Sequence, residues 1–130
     1  MLFRSVKSLA EATKFYEKLG LQVMPEETVE AEKVRLAMVP IGESRLELLE
    51  PTSPDSPIGK FLDKRGEGLH HVALHISDLA GTVERLKSSG TRLVSGEIKI
   101  GAGGHLYIFV HPSSAGGVLL ELVEDAPVGV

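Results

Sequence analysis

The sequence predicts an α+β fold built from two tandem βαβββ modules, and three observations carry that expectation. First, the chain matches itself. Val6-Lys7-Ser8-Leu9-Ala10, running to Leu19-Gly20, corresponds to Ile76-Ser77-Asp78-Leu79-Ala80, running to Ser89-Gly90, at an offset of 70 residues, and Gly42 to Glu50 corresponds to Gly116 to Glu124 at an offset of 74. Second, each repeat opens with one capped helical stripe. Third, each helix is followed by short β-branched or alternating segments that read as antiparallel strands. Two units are too few for a solenoid, so a pseudo-twofold pair is the better reading.

The elements follow in order. Ser8 with Glu11 three residues later is a capping-box signature; Leu9, Ala12, Phe15, Tyr16 and Leu19 form the stripe of the first helix, and Gly20 stops it. Val34 to Val39 and Arg45 to Leu49 alternate as strands. The turn-rich stretch Pro51-Thr52-Ser53-Pro54-Asp55-Ser56-Pro57 links the halves, and Ser56 with Pro57 at the first helical position starts a short helix through Leu62. The strand Leu69 to Ile76 opens the second repeat. Asp78 caps its helix, which carries Leu79, Val83 and Leu86 and ends at Gly90; strands follow at Leu106 to Val110 and Val118 to Val123. The four residues gained by the second half are placed in the Gly101-Ala102-Gly103-Gly104 loop. The organisation is one domain, with module one at 1–52, a linker with its helix at 53–66 and module two at 67–130.

Composition bounds the chemistry. With 42% hydrophobic and 25% charged residues, the 130-residue chain has the make-up of an ordinary globular domain. A net charge of −4 with six aromatic residues gives little footing for nucleic acid. No apolar run is long enough to span a membrane, so a cytoplasmic protein is expected. Without cysteine, thiol nucleophiles and thiolate metal sites are excluded, and a metal would have to use histidine, carboxylate or carbonyl ligands.

In the strand Leu69 to Ile76, His70, Val72, Leu74 and Ile76 share a face suited to helix packing, whereas His71, Ala73 and His75 share a small polar face suited to a concave site. A single strand histidine is most often structural, and a single glutamate between leucines, as in Leu46-Glu47-Leu48, is most often the solvent side of a strand. Two glutamates at equivalent repeat positions, Glu47 and Glu121, change that balance. If the halves pair about a pseudo-twofold axis, both converge near His71, and two carboxylates with an imidazole suit a divalent ion that leaves positions open for substrate. Gly103 and Gly104 could bring backbone N–H groups to an anion, although their spacing fits no phosphate-loop motif. His111, before Pro112, is a further substrate-binding candidate.

These residues resemble the vicinal oxygen chelate superfamily and, within it, the methylmalonyl-CoA epimerase family. The resemblance runs from Val6 onward and rests on Leu46-Glu47-Leu48-Leu49-Glu50-Pro51, Ser56-Pro57-Ile58 with Phe61-Leu62, Gly68-Leu69-His70-His71-Val72, Ile100 to Gly104, and Phe109-Val110-His111-Pro112 continuing to Gly116 through Leu122. It implies two modules forming an open, cupped sheet around one divalent metal ion (Co, Mn, Ni, Zn or Mg), a homodimer, and an acyl-CoA substrate whose (R) and (S) forms are interconverted through an enolate. It assigns His71, Glu121 and Glu47 as metal ligands, with Glu47 and Glu121 also the acid/base candidates. The fourth family ligand is a first-strand histidine. Counting back by the repeat offset, that position is Met1, so the first strand of module one is expected to be truncated, with a three-ligand site completed by water, the chain's own amino terminus or a neighbouring chain, or else with weakened metal affinity; a catalytically impaired homologue is an alternative. A carboxylate found in some members is Arg35 here. The alternatives are glyoxalase I, which shares the fold, and a non-catalytic binding module of the bleomycin-resistance type.

Overall fold

The computed structural model describes residues 1–126 and divides into two compact units, Met1–His70 and the residues from His71 onward. The first holds β1 (Leu2–Ser5), α1 (Leu9–Lys18), β2 (Glu27–Val29), β3 (Val34–Ile41), β4 (Ser44–Pro51), α2 (Pro57–Arg65) and the start of β5 (Gly68–His75). Its strands lie in the order β2-β3-β4-β1, with β1 parallel to β4 and the other pairs antiparallel. The second holds the rest of β5, α3 (Leu79–Ser88), β6 (Lys99–Ile100), β7 (Leu106–Val110) and β8 (Leu120–Glu124), in the order β5-β8-β7-β6. Again the first strand runs parallel to the last, here β5 with β8. Each unit is therefore a βαβββ module, and the α+β class read from the sequence holds. Among the described residues no helix is long and apolar enough to cross a membrane.

The strand registers reproduce the repeat. Phe3 pairs with Glu47 in the first unit and Ala73 with Glu121 in the second, so the offsets of 70 and 74 recur in the hydrogen bonding. Ala37 opposite Leu48 corresponds to Ile108 opposite Leu122, however, and Ala37 to Ile108 is 71 residues. Only one residue is gained before β7, and three enter between β7 and β8. The expected insertion in the Gly101–Gly104 loop is thus corrected: most of it is the turn around Pro112–Ser114, where the second unit makes a short 3₁₀ helix and the first makes a tight hairpin at Gly42.

Local signals set the helix starts. The Ser8 hydroxyl accepts from Glu11 N at 3.2 Å, Ser56 Oγ from Gly59 N at 3.0 Å, and the Asp78 carboxylate from Gly81 N at 3.1 Å, each satisfying a backbone donor that the first turn leaves open. α2 continues three residues past the expected Leu62 to Arg65. In α1 the buried stripe is narrower than expected. Leu9 is buried and Ala12 and Tyr16 pack beside it, but Phe15 is 54% and Leu19 60% exposed. At 3.6 residues per turn Phe15 sits roughly 120° round the helix from Leu9, and Leu19 is already the C-cap.

The two sheet faces of the first unit have different partners. In the first unit α1 packs with Val6, Ala37, Val39, Leu46 and Leu48, while α2 lays Ile58 and Leu62 on the opposite face, over Val34, Leu36, Leu49 and Phe3. In the second unit α3 covers Ile108, Val110 and Leu122 with Leu79 and Val83. The Leu79 amide donates to Glu124 Oε1 at 2.9 Å, tying the helix start to the end of β8. The last strand begins at Leu120 rather than at the expected Val118, which lies exposed in the preceding turn.

Candidate functional site

Alternation and register collect the functional candidates of the second unit on the sheet face turned away from α3. Glu121 is flanked on β8 by the inward Leu120 and Leu122, is paired to Ala73 on one side and stands opposite Phe109 on the other. His71 and Ala73 alternate with Val72 on β5 and share that face. The imidazole Nε2 of His71 lies 3.1 Å from Glu121 Oε1, and both side chains are largely buried, His71 with 8% exposure. The Phe109 ring meets the His71 ring edge to face at a centroid distance of 5.4 Å. An aromatic row continues through Tyr107 to His105, with centroids 6.0 and 5.6 Å apart. That row was not singled out in the sequence, although Tyr107 and Phe109 two residues apart on one strand were a readable signal.

The expectation for β5 is met in part: Ile76 packs into the cluster under α3 and His70 against α2, but Leu74 does not pack on a helix. The face of His71 and Ala73 is the buried one, whereas Leu74 of the supposed helix-packing face is 46% exposed. The apolar cluster under α3 centres on β7 and β8 and takes in Ile76 but not Leu74. His70 meets the edge of Phe61 on α2 instead, with ring centroids 5.0 Å apart.

In the first unit Glu47 is a buried carboxylate at 9% exposure. It sits on β4 opposite Met38 and beside Phe3 on β1, on the face that α2 partly covers through Leu49. Its position in the register is that of Glu121 in the second unit. By the same register, Met1 stands where His71 stands, one residue before the Leu2–Leu46 pair that answers Val72–Leu120. β1 itself spans four residues against eight in β5.

The weaker candidates have local roles. His111 Nδ1 accepts from Ser113 N at 3.1 Å and lies 2.8 Å from Ser113 Oγ, so the imidazole caps its own turn. Gly103 and Gly104 have φ of 74° and 83°, the left-handed region that glycine adopts without strain. The loop folds over His105: a Cβ on Gly101 would lie 2.3 Å from the His105 ring, and Gly101 N donates to the His105 carbonyl at 2.8 Å.

The pairing of an imidazole nitrogen with a carboxylate oxygen fits a borderline or hard divalent ion by donor chemistry. His71 and Glu121 supply two such donors within one unit. Among the described residues no group of three or more His, Asp or Glu side chains comes together.

Comparison with known proteins agrees with this architecture. Residues 5–109 match the Glyoxalase/Bleomycin resistance protein/Dioxygenase superfamily. The uncharacterized protein YqjC of Bacillus subtilis is 40% identical over 121 residues, covering 92% of this chain and 86% of that one. Mitochondrial methylmalonyl-CoA epimerase of Homo sapiens is 39% identical over 120 residues, covering 91% and 68%. Among solved structures, a Streptomyces coelicolor methylmalonyl-CoA epimerase variant in complex with 2-nitronate-propionyl-CoA superposes with a TM-score of 0.82 at 34% identity, over 99% of this chain and 94% of that one. The chain belongs to the glyoxalase/bleomycin resistance/dioxygenase superfamily, the vicinal oxygen chelate group, and methylmalonyl-CoA epimerases are among its relatives.

Proposed function

We propose that this protein is a metal-dependent methylmalonyl-CoA epimerase, interconverting the (R) and (S) thioesters by removing and returning the proton between the two carbonyl groups. The observation that carries the reading is the largely buried His71–Glu121 pair on one sheet face, in a chain among whose relatives are epimerases of this name. His71 and Glu121, with Glu47 from the first module, would hold one divalent ion. Such an ion, when bound, supplies Lewis-acid stabilisation of the negative charge that develops on the thioester oxygen.

Epimerisation needs a proton acceptor on one side of the reacting carbon and a donor on the other. Glu47 and Glu121 occupy equivalent positions of two repeated modules and are the carboxylates assigned to these two roles. Burial of both keeps water from competing for the abstracted proton. Phe109, edge-on to His71, fixes the imidazole plane so that its nitrogen faces Glu121. With Met1 at the position equivalent to His71, the first module supplies a soft thioether in place of a second imidazole, which favours a three-ligand protein site and weaker metal retention. A cytoplasmic homodimer completes the proposal.

The test is deuterium incorporation. Incubated with methylmalonyl-CoA in D₂O, the protein is expected to label the substrate, and His71→Ala and Glu121→Gln are each expected to lower the rate by roughly 10²–10⁴-fold. Turnover of methylglyoxal with glutathione, and no labelling of methylmalonyl-CoA, would establish a glyoxalase instead. A folded protein with neither reaction would identify a binding module.

A further inference from the structure

Arg45 precedes Glu47 by two residues on β4 and so projects from the same face of the strand. Its Nη1 lies 3.5 Å from the Met38 sulfur, and Met38 stands directly opposite Glu47. The guanidinium therefore leans from its own cross-strand partner, Pro40, toward the pair that contains the buried carboxylate. A thioether is a weak, uncharged acceptor, so it uses little of the donor capacity of a guanidinium with five N–H groups.

The other cations of β1, β3 and the turn before it meet oxygen. Lys33 Nζ lies 2.7 Å from Asp55, Arg35 lies 3.4 Å from Glu50, and Arg4 donates to the Tyr16 hydroxyl at 2.8 Å. Among the described residues Arg45 has no carboxylate partner, and it is exposed. The repeat adds a control, because the counterpart of Arg45 at the offset of 74 is Leu119. The module folds without a cation at this position.

We infer that Arg45 recognises the free carboxylate of a malonyl-type acyl group, and so selects the monothioester of a dicarboxylic acid over a neutral acyl thioester. The inference rests on the acyl-CoA reading above. A planar guanidinium matches a carboxylate with two parallel hydrogen bonds, and it is carried on the same strand face as the proposed proton-transfer residue Glu47. Deleting one charge-assisted pair of this kind weakens binding by roughly 10- to 100-fold.

Isothermal titration of the full chain with methylmalonyl-CoA, propionyl-CoA and CoA tests it. The unaltered protein should prefer methylmalonyl-CoA to propionyl-CoA. Arg45→Gln should erase about 10- to 100-fold of that preference while leaving propionyl-CoA and CoA binding unchanged, and Arg45→Lys should retain part of it. Thermal unfolding should not change, since the side chain is exposed. If Arg45→Gln weakens all three ligands alike, the cation serves the CoA phosphates and the inference is overturned; an unchanged preference overturns it equally. An unaltered protein that binds none of the three refutes the acyl-CoA reading itself. One that labels methylmalonyl-CoA in D₂O, yet keeps its preference after Arg45→Gln, refutes only the role of Arg45.

Discussion

Gly59→Ala sets two magnitudes of opposite sign against each other. Gly59 lies in the first turn of α2, and by helix propensity alone alanine there is more favourable by about 1 kcal/mol. The structure argues the reverse. A Cβ at Gly59 would lie 2.7 Å from the carbonyl oxygens of both Ser53 and Pro54. Both are backbone atoms, so no side-chain rotation relieves the clash. The 53–56 turn has to move away from the helix, and it is held by the fully buried Ser56, whose Oγ donates to Ser53 O at 2.9 Å and accepts from Gly59 N at 3.0 Å. Overpacking of this kind costs about 1–3 kcal/mol, and a loosened N-cap adds roughly 0.5–2 kcal/mol. After the propensity gain, the net expectation is a loss of roughly 0.5–4 kcal/mol. For a chain of this length that lowers the unfolding midpoint by on the order of 2–16 °C. Urea denaturation followed by circular dichroism reads it directly, with the neighbouring exposed Lys60→Ala as the control expected to change little. A Gly59→Ala protein as stable as the control, or more so, would mean that the turn yields freely, and the argument from close approach would be refuted.

Three further outcomes are expected. The Asp55 carboxyl is pulled from 3.8 down to about 2 by its hydrogen bonds to Lys33 and Ser53. A group whose folded value is lowered contributes stability that is complete above its unfolded value and lost as pH falls through the folded one. Asp55→Asn should therefore remove part of the pH dependence of unfolding between about pH 4 and 2, and a variant whose acid limb superimposes on that of the parent would contradict the assignment. Leu48 and Ile108, both essentially fully buried in separate units, should each cost about 2–5 kcal/mol when cut to alanine; chemical denaturation that finds less than 1 kcal/mol would show that these cores collapse around the cavity. Phe109→Leu keeps apolar volume but removes the edge-to-face contact with His71. Metal affinity, measured by competition with a chromophoric chelator, is expected to fall roughly tenfold, and an unchanged affinity would remove Phe109 from any positioning role.

The features legible in the sequence are those decided by neighbours along the chain. An N-cap needs only a hydroxyl or carboxylate three residues before the amide it accepts from, so Ser8, Ser56 and Asp78 announced their helices correctly. Alternation within a strand likewise put His71 with Ala73, and Glu47 opposite in face to Leu46 and Leu48. The repeat offsets proved to be hydrogen-bond registers. Other features depended on which element arrives from elsewhere. Leu74 is as apolar as Leu122, yet it is exposed because the cluster under α3 does not take it in, and Phe15 is exposed because it lies on the side of α1 turned from the sheet. The three residues that enter between β7 and β8 were misplaced in the glycine loop, because only cross-strand pairing shows where a count slips.

The sequence by itself determined two modules of one plan, the ends of their helices, and the equivalence of Glu47 with Glu121, because each is a matter of spacing. The tertiary structure decided which strand face is buried, that α2 lies on the same face of the first module as Glu47, and that His71 meets Glu121 across 50 positions of chain at 3.1 Å. Those outcomes come from burying apolar area between elements distant in sequence, a sum over the whole unit that no local pattern contains.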